Sequence, residues 1–228
     1  MPLPHSPQTH SADGATTFIV VRHGETHWNI AGRLQGHLDS RLTPVGLAQA
    51  AALGARLAAE PLHALYSSDL GRARETAEPI AAATGLAPKF DARLRERTYG
   101  VFESFTWNEI EARFPAEFVR LASRDPTYCV PGGESPIGFR ERLLAAFAAL
   151  ADAHRGERLA VVTHGGVLGM LYRVARDLPL DAPRAYQLPN AGINRFAWRG
   201  GRLELEAWAD VAHLEVAREA GVDTRDNV

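Results

Sequence analysis

Short apolar runs and amphipathic stretches alternate along most of the chain. Runs at 18–21, 62–67 and 158–163 predict strands, and the first and third are apolar enough for a buried parallel sheet. Two further runs, 193–198 and 203–208, flank an Arg-Gly-Gly-Arg turn and predict an antiparallel hairpin. The alternation of strands with helices predicts an α/β fold of three layers (α/β/α), with a mostly parallel central sheet flanked by helices and an antiparallel edge hairpin.

Helix-start signals lie between these runs. A Ser, Thr or Asp before a helical pattern can cap the first turn, and proline suits that turn because its missing N–H would have no partner there. The predicted caps of this kind are Thr43, Asp69, Thr106 and Ser135. The predicted helices cover 44–59, 70–84, 107–114, 115–123, 136–153 and 167–176.

The ends of the chain differ in composition from its middle. Residues 1–16 are rich in Pro, Ser, Thr and His and are predicted to be a disordered tail. Residues 17–213 carry the strand and helix patterns and are predicted to form a single domain, because no segment within them is long enough to be a linker. Residues 214–228 are predicted to be a C-terminal tail that begins as a helix.

Composition and charge exclude several classes of protein. The 25 basic and 27 acidic residues give a net charge of −2, so neither a nucleic-acid partner nor a polybasic membrane anchor is expected. The N-terminal residues lack an apolar signal-peptide core, and the longest apolar run, 143–151, is shorter than the ~18 residues of a membrane span. A single cysteine, Cys129, excludes an internal disulfide and a zinc ribbon. The chain is therefore predicted to be soluble and cytoplasmic, and its oligomeric state stays open.

Two of the predicted strands end in the same dipeptide. Residues 18–24 read FIVVRHG and residues 160–165 read AVVTHG, so His23 and His164 each follow an apolar strand. In open α/β sheets, ligands bind in a crevice outside the carboxyl ends of the strands, and we expect the two imidazoles to share such a crevice. The alternative is that each histidine only satisfies its hydrogen bonds at the end of a strand.

Arginines accompany these histidines. Arg22 precedes His23, and Arg72 lies in the first turn of the helix that follows the second strand. A helix N-terminus favours anions through its free N–H groups, and an arginine there can hold phosphate oxygens with two hydrogen bonds. Because the molecule as a whole is not cationic, a local cluster of this kind is needed to attract an anionic substrate.

Short motifs follow one another in a fixed order between residues 18 and 213. They are RHGET at 22–26, WN at 28–29, GRLQG at 32–36, LTP at 42–44, SSDL at 67–70, LRE at 94–96, PGGES at 131–135 and VTHGG at 162–166. Together they resemble the histidine phosphatase superfamily (phosphoglycerate mutase-like), and the PGGES segment resembles its phosphatase branch. The resemblance implies a phosphoglycerate mutase-like fold and an enzyme of the phosphoric monoester hydrolase class.

The resemblance also implies roles for the matched residues. His23 would be the nucleophile that becomes phosphohistidine, and Glu96 would donate a proton to the leaving oxygen. The implied catalytic residues are His23, Glu96, His164, Arg22 and Arg72. The implied substrate-binding residues are Arg22, Asn29, Gln35, Gly36, Arg72, His164 and Gly165. No metal ion and no cofactor is predicted.

The chemistry of these residue types agrees with the resemblance. Phosphoryl transfer depends mostly on positioning and on stabilising charge at the phosphoryl oxygens, which guanidinium and imidazole groups can provide. A neutral imidazole is a competent nucleophile near neutral pH, and a covalent intermediate divides hydrolysis into two easier steps. The leaving oxygen needs a proton, which a carboxylic acid can supply. The predicted substrate is a small phosphomonoester.

Two other functions stay open. A cofactor-dependent phosphoglycerate mutase would use the same residues, and a non-catalytic phospho-ligand sensor would need only to bind. A mutase is expected to carry a longer excursion between Glu96 and His164 that closes the site, whereas the loop at 124–133 is short, so a phosphatase is favoured. The sensor is disfavoured because each residue with a chemical role is present.

The identity of the leaving group is not predicted. Segments expected near the pocket mouth hold four aromatic residues: Phe102, Phe105, Trp107 and Tyr128. If they line the pocket, they favour an apolar or aromatic leaving group, and the alternative is ordinary core packing. In the same region the family often has an acidic residue followed by glycine, whereas here Ser104 follows Glu103. The conformation of this loop is therefore an open point.

Overall fold

A mixed six-stranded sheet forms the centre of the computed structural model, which describes residues 14–219. Its strands are β1 (Thr16–Arg22), β2 (Ala64–Ser67), β3 (Pro88–Phe90), β4 (Arg158–Thr163), β5 (Ile193–Arg199) and β6 (Arg202–Asp210). Their order across the sheet is β3-β2-β4-β1-β5-β6. The first four strands in this order are parallel, and β5 pairs antiparallel with β1 and β6. The predicted α/β class, the mostly parallel sheet and the antiparallel edge pair are confirmed.

Helices cover both faces of this sheet. They are α1 (His27–Ile30), α2 (Pro44–Leu57), α3 (Gly71–Thr84), α4 (Trp107–Arg113), α5 (Pro115–Ala122), α6 (Pro136–Ala153), α7 (Gly165–Ala175) and α8 (Ala212–Glu219). Helices α2, α3 and α8 pack on one face of the sheet, and α6 and α7 pack on the other. The predicted three-layer arrangement is confirmed.

Strand β1 shows why both faces are covered. Phe18 and Val20 pack with α6 and α7, whereas Ile19 and Val21 pack with α2, α3 and α8, and all four side chains are 0% exposed. Successive side chains of a strand lie on opposite faces, so an unbroken apolar run needs a helical layer on each side. Burial of each such side chain contributes about 1.5–3 kcal/mol.

A third, smaller core lies beside the sheet. It contains Phe102, Ile110, Tyr128 and Val130, with partly buried aromatic residues of the α4–α5 region packed around them. The predicted capping box at the start of α4 is present, with the Thr106 side chain accepting the N–H of the third helical residue. We call this set the α4–α5 core.

The predicted cap of α3 is wrong. The cap position is Leu70, which makes no side-chain cap bond, and the Asp69 carboxylate binds Arg95 instead. The Asp39 carboxylate, from a loop distant in sequence, accepts the N–H groups of Gly71 and the next residue. A tertiary contact therefore satisfies the first turn of α3, and no local pattern around Asp69 could have revealed it.

Other differences concern the lengths of elements. Helix α7 begins at Gly165, two residues earlier than predicted, so His164 occupies its cap position. Strand β3 and helix α1 lie in segments without a predicted element, because three or four residues are too few to show a period. The remaining predicted elements agree with the structure to within two residues at each end.

The described structure extends beyond the predicted domain at both ends. Strand β1 begins at Thr16, and Ala15 and Thr16 are buried, while the rest of the predicted tail, 1–13, lies outside the described residues. Helix α8 buries Leu214 against the α2–α3 side of the sheet, so the predicted C-terminal tail starts as a packed helix. Residues 220–228 lie outside the described residues. Within 14–219, no helix is long and apolar enough to cross a membrane.

Candidate active site

The two histidines that follow β1 and β4 lie side by side. These strands are parallel neighbours with Arg22 opposite Thr163, so His23 and His164 leave the sheet at the same edge. Their ring centroids are 5.3 Å apart, and the two residues are 3% and 0% exposed. The predicted proximity of the two imidazoles is confirmed.

One hydrogen bond sets the protonation of the His23 ring. Its Nδ1 lies 2.8 Å from the carbonyl oxygen of Gly24, which can only accept, so Nδ1 carries the proton and Nε2 the free lone pair. Burial holds the pKa of His23 well below its ordinary value, and the charges of Arg72 and Arg22 lower this pKa further. The ring is therefore a neutral base with one available nitrogen, which is the form that a nucleophile requires.

The His164 ring is neutral for a similar reason. Burial holds its pKa well below the ordinary value, and the charge of Arg72 lowers this pKa further. Its Nε2 lies 2.8 Å from the hydroxyl of Ser68, and its Nδ1 has no hydrogen-bond partner among the described residues. A buried polar atom without a partner costs about 1–3 kcal/mol, so this nitrogen is a candidate contact for a bound ligand.

Arg72 places a buried positive charge beside both rings. The residue is 1% exposed, and its Nη1 donates to the carbonyl oxygen of Leu38 at 2.8 Å and to the Asp39 carboxylate at 2.9 Å. Its Nη2 donates to the carbonyl oxygen of Gly36 at 2.8 Å. Burial lowers the pKa of this guanidinium and the charge of Asp39 raises it, but an arginine remains charged in either case. The turn at 36–39 therefore fixes the orientation of the cation.

Arg22 reaches the same place from the end of β1. Its Nη1 donates to the carbonyl oxygen of Leu188. Gly165, the first residue of α7, lies against this side chain: a Cβ there would stand 3.4 Å from Nε of Arg22. The N-terminus of α7 therefore opens next to a guanidinium, and both favour an anion.

Glu96 is held at the start of α7. Its Oε2 accepts the N–H of Gly166 at 2.7 Å, and its Oε1 accepts the N–H of Arg97 at 2.8 Å. A Cβ at Gly166 would stand 2.1 Å from Oε1, so only glycine leaves room for the carboxylate in this position. The helix N-terminus and the missing side chain together determine where the carboxyl group lies.

These groups converge on one cavity of about 450 Å³. The predicted site residues that line it are Arg22, His23, Asn29, Gln35, Gly36, Arg72, Glu96 and Gly165. His164 is not part of this lining, because its ring is fully buried beside His23. Within residues 14–219, no group of three or more His, Cys, Asp or Glu side chains is placed to hold a metal ion.

Asn190 connects predicted site residues but was absent from the sequence prediction. Its Nδ2 donates to the carbonyl oxygen of His23 at 2.9 Å and to Oδ1 of Asn29 at 3.3 Å. The Asn29 side chain in turn accepts the N–H of Thr26 at 3.0 Å, and Gln35 donates to the Thr26 hydroxyl at 2.9 Å. These bonds fix the two amide side chains at the cavity. No local pattern at 190 signals this role, because its partners are distant in sequence.

Glu103 organises the loop that holds Arg72, and sequence reasoning missed this role too. Its Oε1 accepts from the backbone N–H groups of His37 and Tyr99 and from the Thr98 hydroxyl, and its Oε2 accepts from the N–H of Leu38, at 2.8–3.0 Å. The segments 36–38 and 98–103 are thereby joined through one buried carboxylate. The only available signal was the family's frequent acidic residue in this region.

The sequence did not determine whether four aromatic residues line the pocket or pack in a core, and the structure distinguishes between them. Trp107 lines the cavity and is 49% exposed. Phe102 and Tyr128 are buried in the α4–α5 core, and Phe105 packs against that core. Tyr99 also lines the cavity, and burial raises its pKa to about 12, so its hydroxyl stays protonated. The alternative of ordinary core packing therefore holds for three of the four residues.

A neutral imidazole, flanked by guanidiniums and sharing a cavity with a carboxyl group, defines a class of site that transfers phosphoryl groups through histidine. The chain belongs to the histidine phosphatase superfamily, whose branch 1 family model matches residues 18–211. This match runs from the third residue of β1 past the end of β6 and therefore includes every residue of the cavity described above.

Curated relatives include both phosphatases and mutase-like proteins. The chain is 39% identical over 201 residues to phosphoglycerate mutase-like protein 4 of Arabidopsis thaliana, covering 86% of each chain. It is 39% identical over 204 residues to the metal-independent phosphoserine phosphatase of Arabidopsis thaliana, covering 87% of this chain and 83% of the relative. It is 36% identical to a protein named probable phosphoglycerate mutase GpmB of Salmonella choleraesuis, covering 86% of this chain and 94% of the relative.

Solved structures of the same fold agree with this assignment. YhfR of Bacillus stearothermophilus is 36% identical with a TM-score of 0.80, covering 87% of this chain and 99% of that chain. Mycobacterial glucosyl-3-phosphoglycerate phosphatase is 31% identical with a TM-score of 0.75, covering 86% of this chain and 99% of that chain. With this family match and these phosphatases among its relatives, the chain is a phosphoric monoester hydrolase of the histidine phosphatase type.

Proposed function

We propose that the chain hydrolyses small phosphomonoesters by passing the phosphoryl group through Nε2 of His23. The observation that carries this proposal is the bond from Nδ1 of His23 to the carbonyl oxygen of Gly24, which leaves Nε2 as a lone-pair donor. The ring is buried and neutral, and it lines a cavity that also exposes Arg22 and Arg72. These features support a nucleophile aimed at an anionic group.

In the first step, Nε2 attacks phosphorus while the bond between phosphorus and the ester oxygen breaks. Glu96, in its protonated form, gives its proton to the leaving oxygen, so the alcohol departs neutral. In the second step, Glu96 takes a proton from water as the water oxygen attacks phosphorus and the phosphorus–nitrogen bond breaks. Inorganic phosphate leaves, and both residues return to their starting forms.

Charge at the phosphoryl oxygens is met by groups that the fold has already positioned. Arg22 and Arg72 supply two guanidiniums, and the N-terminus of α7 adds backbone donors from Gly165 onward. Asn29, which lines the cavity, and His164, whose ring lies beside that of His23, complete the set in this proposal. Because these groups are fixed before substrate arrives, little reorganisation is needed when charge develops.

We propose that this chemistry needs no metal ion, since its positive charges are supplied by guanidiniums. The name of the metal-independent phosphoserine phosphatase relative supports this proposal. A location in the cytoplasm stays a prediction from the sequence.

The first test is to trap the phosphoenzyme. After rapid quenching without acid, labelled substrate should leave phosphate on the protein as a phosphoramidate, stable in base and labile in acid, and His23→Ala should abolish it. Turnover should be unchanged after treatment with a chelator. An acid-stable adduct, or full activity of His23→Ala, would contradict the assignment of the nucleophile, and loss of turnover that is restored by added metal would contradict metal independence.

A further inference from the structure

The cavity carries two arginines that the proposed chemistry does not use. Arg173 belongs to α7, Arg184 lies in the connection between α7 and β5, and both line the cavity. Arg22 and Arg72 already serve the phosphoryl group in the proposed mechanism. The charges of Arg173 and Arg184 are therefore left for another part of the substrate.

Arg173 is oriented but not neutralised. Its Nη1 donates to the carbonyl oxygen of Gly169 at 3.1 Å and to the hydroxyl of Tyr186, and its Nη2 donates to the carbonyl oxygen of Ala182 at 3.1 Å. None of these oxygens is ionised, so the guanidinium keeps its full charge beside the cavity. The same bonds tie the α7–β5 connection to α7 and thereby hold this wall in place.

Arg184 is the exposed member of the pair. Within residues 14–219 it makes no hydrogen bond and no ion pair. Its charge opposes the rise that burial causes in the pKa of Tyr99 and of Tyr186, so the guanidinium lies close enough to act on both rings. Arg184, Tyr99 and Tyr186 all line the cavity, so the guanidinium is available to a group bound there.

A third arginine of the cavity provides the contrast. Arg33 also lines the cavity, but its Nη1 lies 2.9 Å from a carboxylate oxygen of Glu109 and donates to the carbonyl oxygen of Ser104. Arg33 therefore has an acidic partner within the protein, whereas Arg173 and Arg184 have none among the described residues. The two arginines of the cavity wall without an acidic partner among the described residues therefore both lie on α7 and the α7–β5 connection.

We propose that Arg184, assisted by the charge of Arg173, binds a second anionic group on the leaving group of the substrate. The group is a carboxylate or a second phosphate, because the planar guanidinium can bind either with two hydrogen bonds. This inference rests on the proposed function, since it concerns the same cavity. It makes Arg184 a specificity-determining residue, and it favours an acidic leaving group over the aromatic one that the sequence left open.

The test compares esters that differ by one anionic group. Phosphoserine against phosphoethanolamine isolates a carboxylate, and 1,3-propanediol bisphosphate against its monophosphate isolates a second phosphate. The ratio of kcat/KM within each pair is measured for the wild type, for Arg184→Gln and for the control Arg155→Gln. Arg155 is 78% exposed on its side chain and lies beside Thr16, at the opposite end of β1 from the cavity, so its replacement removes the same charge far from the site.

We expect the wild type to prefer the anionic member of at least one pair. Arg184→Gln should reduce that preference about three- to tenfold, because a partly exposed charge pair is weaker than a buried one, and Arg155→Gln should leave it unchanged. The pair of esters whose kcat/KM ratio falls in Arg184→Gln identifies the bound anion as a carboxylate or a phosphate.

Three results would overturn the inference while leaving the proposed function intact: equal rates within both pairs, an unchanged preference in Arg184→Gln, or an equal loss of preference in Arg155→Gln. Because Arg184 is exposed and makes no hydrogen bond or ion pair among the described residues, we expect its replacement to fold normally. Failure to release phosphate from any of these esters would overturn the proposed function, and the inference with it.

Discussion

Arg72 and His23 show how one buried side chain sets the chemistry of another. A buried guanidinium is costly unless it is hydrogen-bonded and paired, and here two backbone carbonyls and the Asp39 carboxylate accept from its two Nη atoms. The fixed charge then lowers the pKa of His23, which burial has already lowered. An ordinary histidine, with a pKa of about 6.5, is partly protonated at slightly acidic pH, whereas His23 stays neutral and remains able to attack.

Ser104 is strained at the backbone. Its φ of 75° lies in the left-handed region, where a Cβ is unfavourable by roughly 1–2 kcal/mol. The loop keeps this conformation because the N–H of Ser104 donates to the carbonyl oxygen of Leu34 and its own carbonyl oxygen accepts from Arg33. The open question about this loop is thereby answered: the family's glycine suits the same backbone conformation, and serine adopts it under strain.

We therefore predict that Ser104→Gly stabilises the protein. The gain should be about 0.5–1 kcal/mol, because relief of the strain is partly offset by the greater freedom of glycine in the unfolded chain. The free energy of unfolding in urea measures it directly. Ser104→Ala is the matched control, since it removes the hydroxyl but keeps the Cβ, and it should give no such gain. Equal stabilisation by both variants would show that backbone strain is not the cause.

The first turn of α7 is the element on which the site depends most. It follows β4 directly, its cap position is His164, and its first two residues are glycines that leave room for Arg22 and Glu96. An alanine at 166 would meet Oε1 of Glu96, the mobile end of a side chain. The helix itself can therefore accept the alanine, and the carboxyl group must move instead.

We predict that Gly166→Ala keeps its stability but loses proton donation. A general acid contributes roughly 10²–10⁴-fold to rate, so displacement of Glu96 should lower kcat about tenfold or more for alkyl phosphates. It should have little effect on nitrophenyl phosphate, whose leaving group hardly needs a proton. Gly138→Ala, at the first turn of α6 with ordinary contacts at 3.4 Å, is the control and should affect neither ester. Equal slowing of both esters by Gly166→Ala would argue against Glu96 as the acid.

Elements with a clear local sequence pattern could be predicted, and features that depend on residues distant in sequence could not. β1 and β4 are apolar on both faces, and α6 begins at a Ser-Pro signal, so local residues determine them. The carboxylate that satisfies the first turn of α3 belongs to Asp39, 32 positions from Gly71, and the Glu103 carboxylate that supports the Arg72 loop lies 65 positions from Leu38. Periodicity carries no information about such contacts, so the residues that orient the site emerge only from the fold.

At the scale of the whole molecule, positive charge is concentrated in the cavity beside the ends of β1 and β4. The net charge is −2, yet the cavity collects five arginines: Arg22, Arg33, Arg72, Arg173 and Arg184. They come from β1, from the loop after α1, from α3 and α7 and from the α7–β5 connection, and they meet at the edge of the sheet where the adjacent strands β1 and β4 end. A local cationic cavity on a slightly acidic protein favours small anions without favouring nucleic acid.

The residues that surround the cavity determine whether a phosphohistidine would be protected from water. The loop at 124–133 does not reach the cavity: Tyr128 and Val130 are buried in the α4–α5 core, and no described residue of the loop lines the cavity wall. At the cavity, Trp107 is 49% exposed and Arg184 is also exposed. A site this open admits water, and water converts phosphohistidine to free histidine and phosphate.

We therefore predict hydrolysis and not isomerisation when both outcomes are available. With 3-phosphoglycerate as substrate and 2,3-bisphosphoglycerate supplied, the enzyme should release inorganic phosphate and form negligible 2-phosphoglycerate. A mutase must keep the phosphohistidine intact until the bisphosphate has turned in the site, and the open cavity gives it no means to do so. Released phosphate and an enolase-coupled assay for 2-phosphoglycerate are measured on the same samples, with His23→Ala as the blank for both. Mutase turnover well above the best phosphatase turnover would show that the site closes over its substrate, and that the mutase-like names among the relatives describe this chain's own reaction.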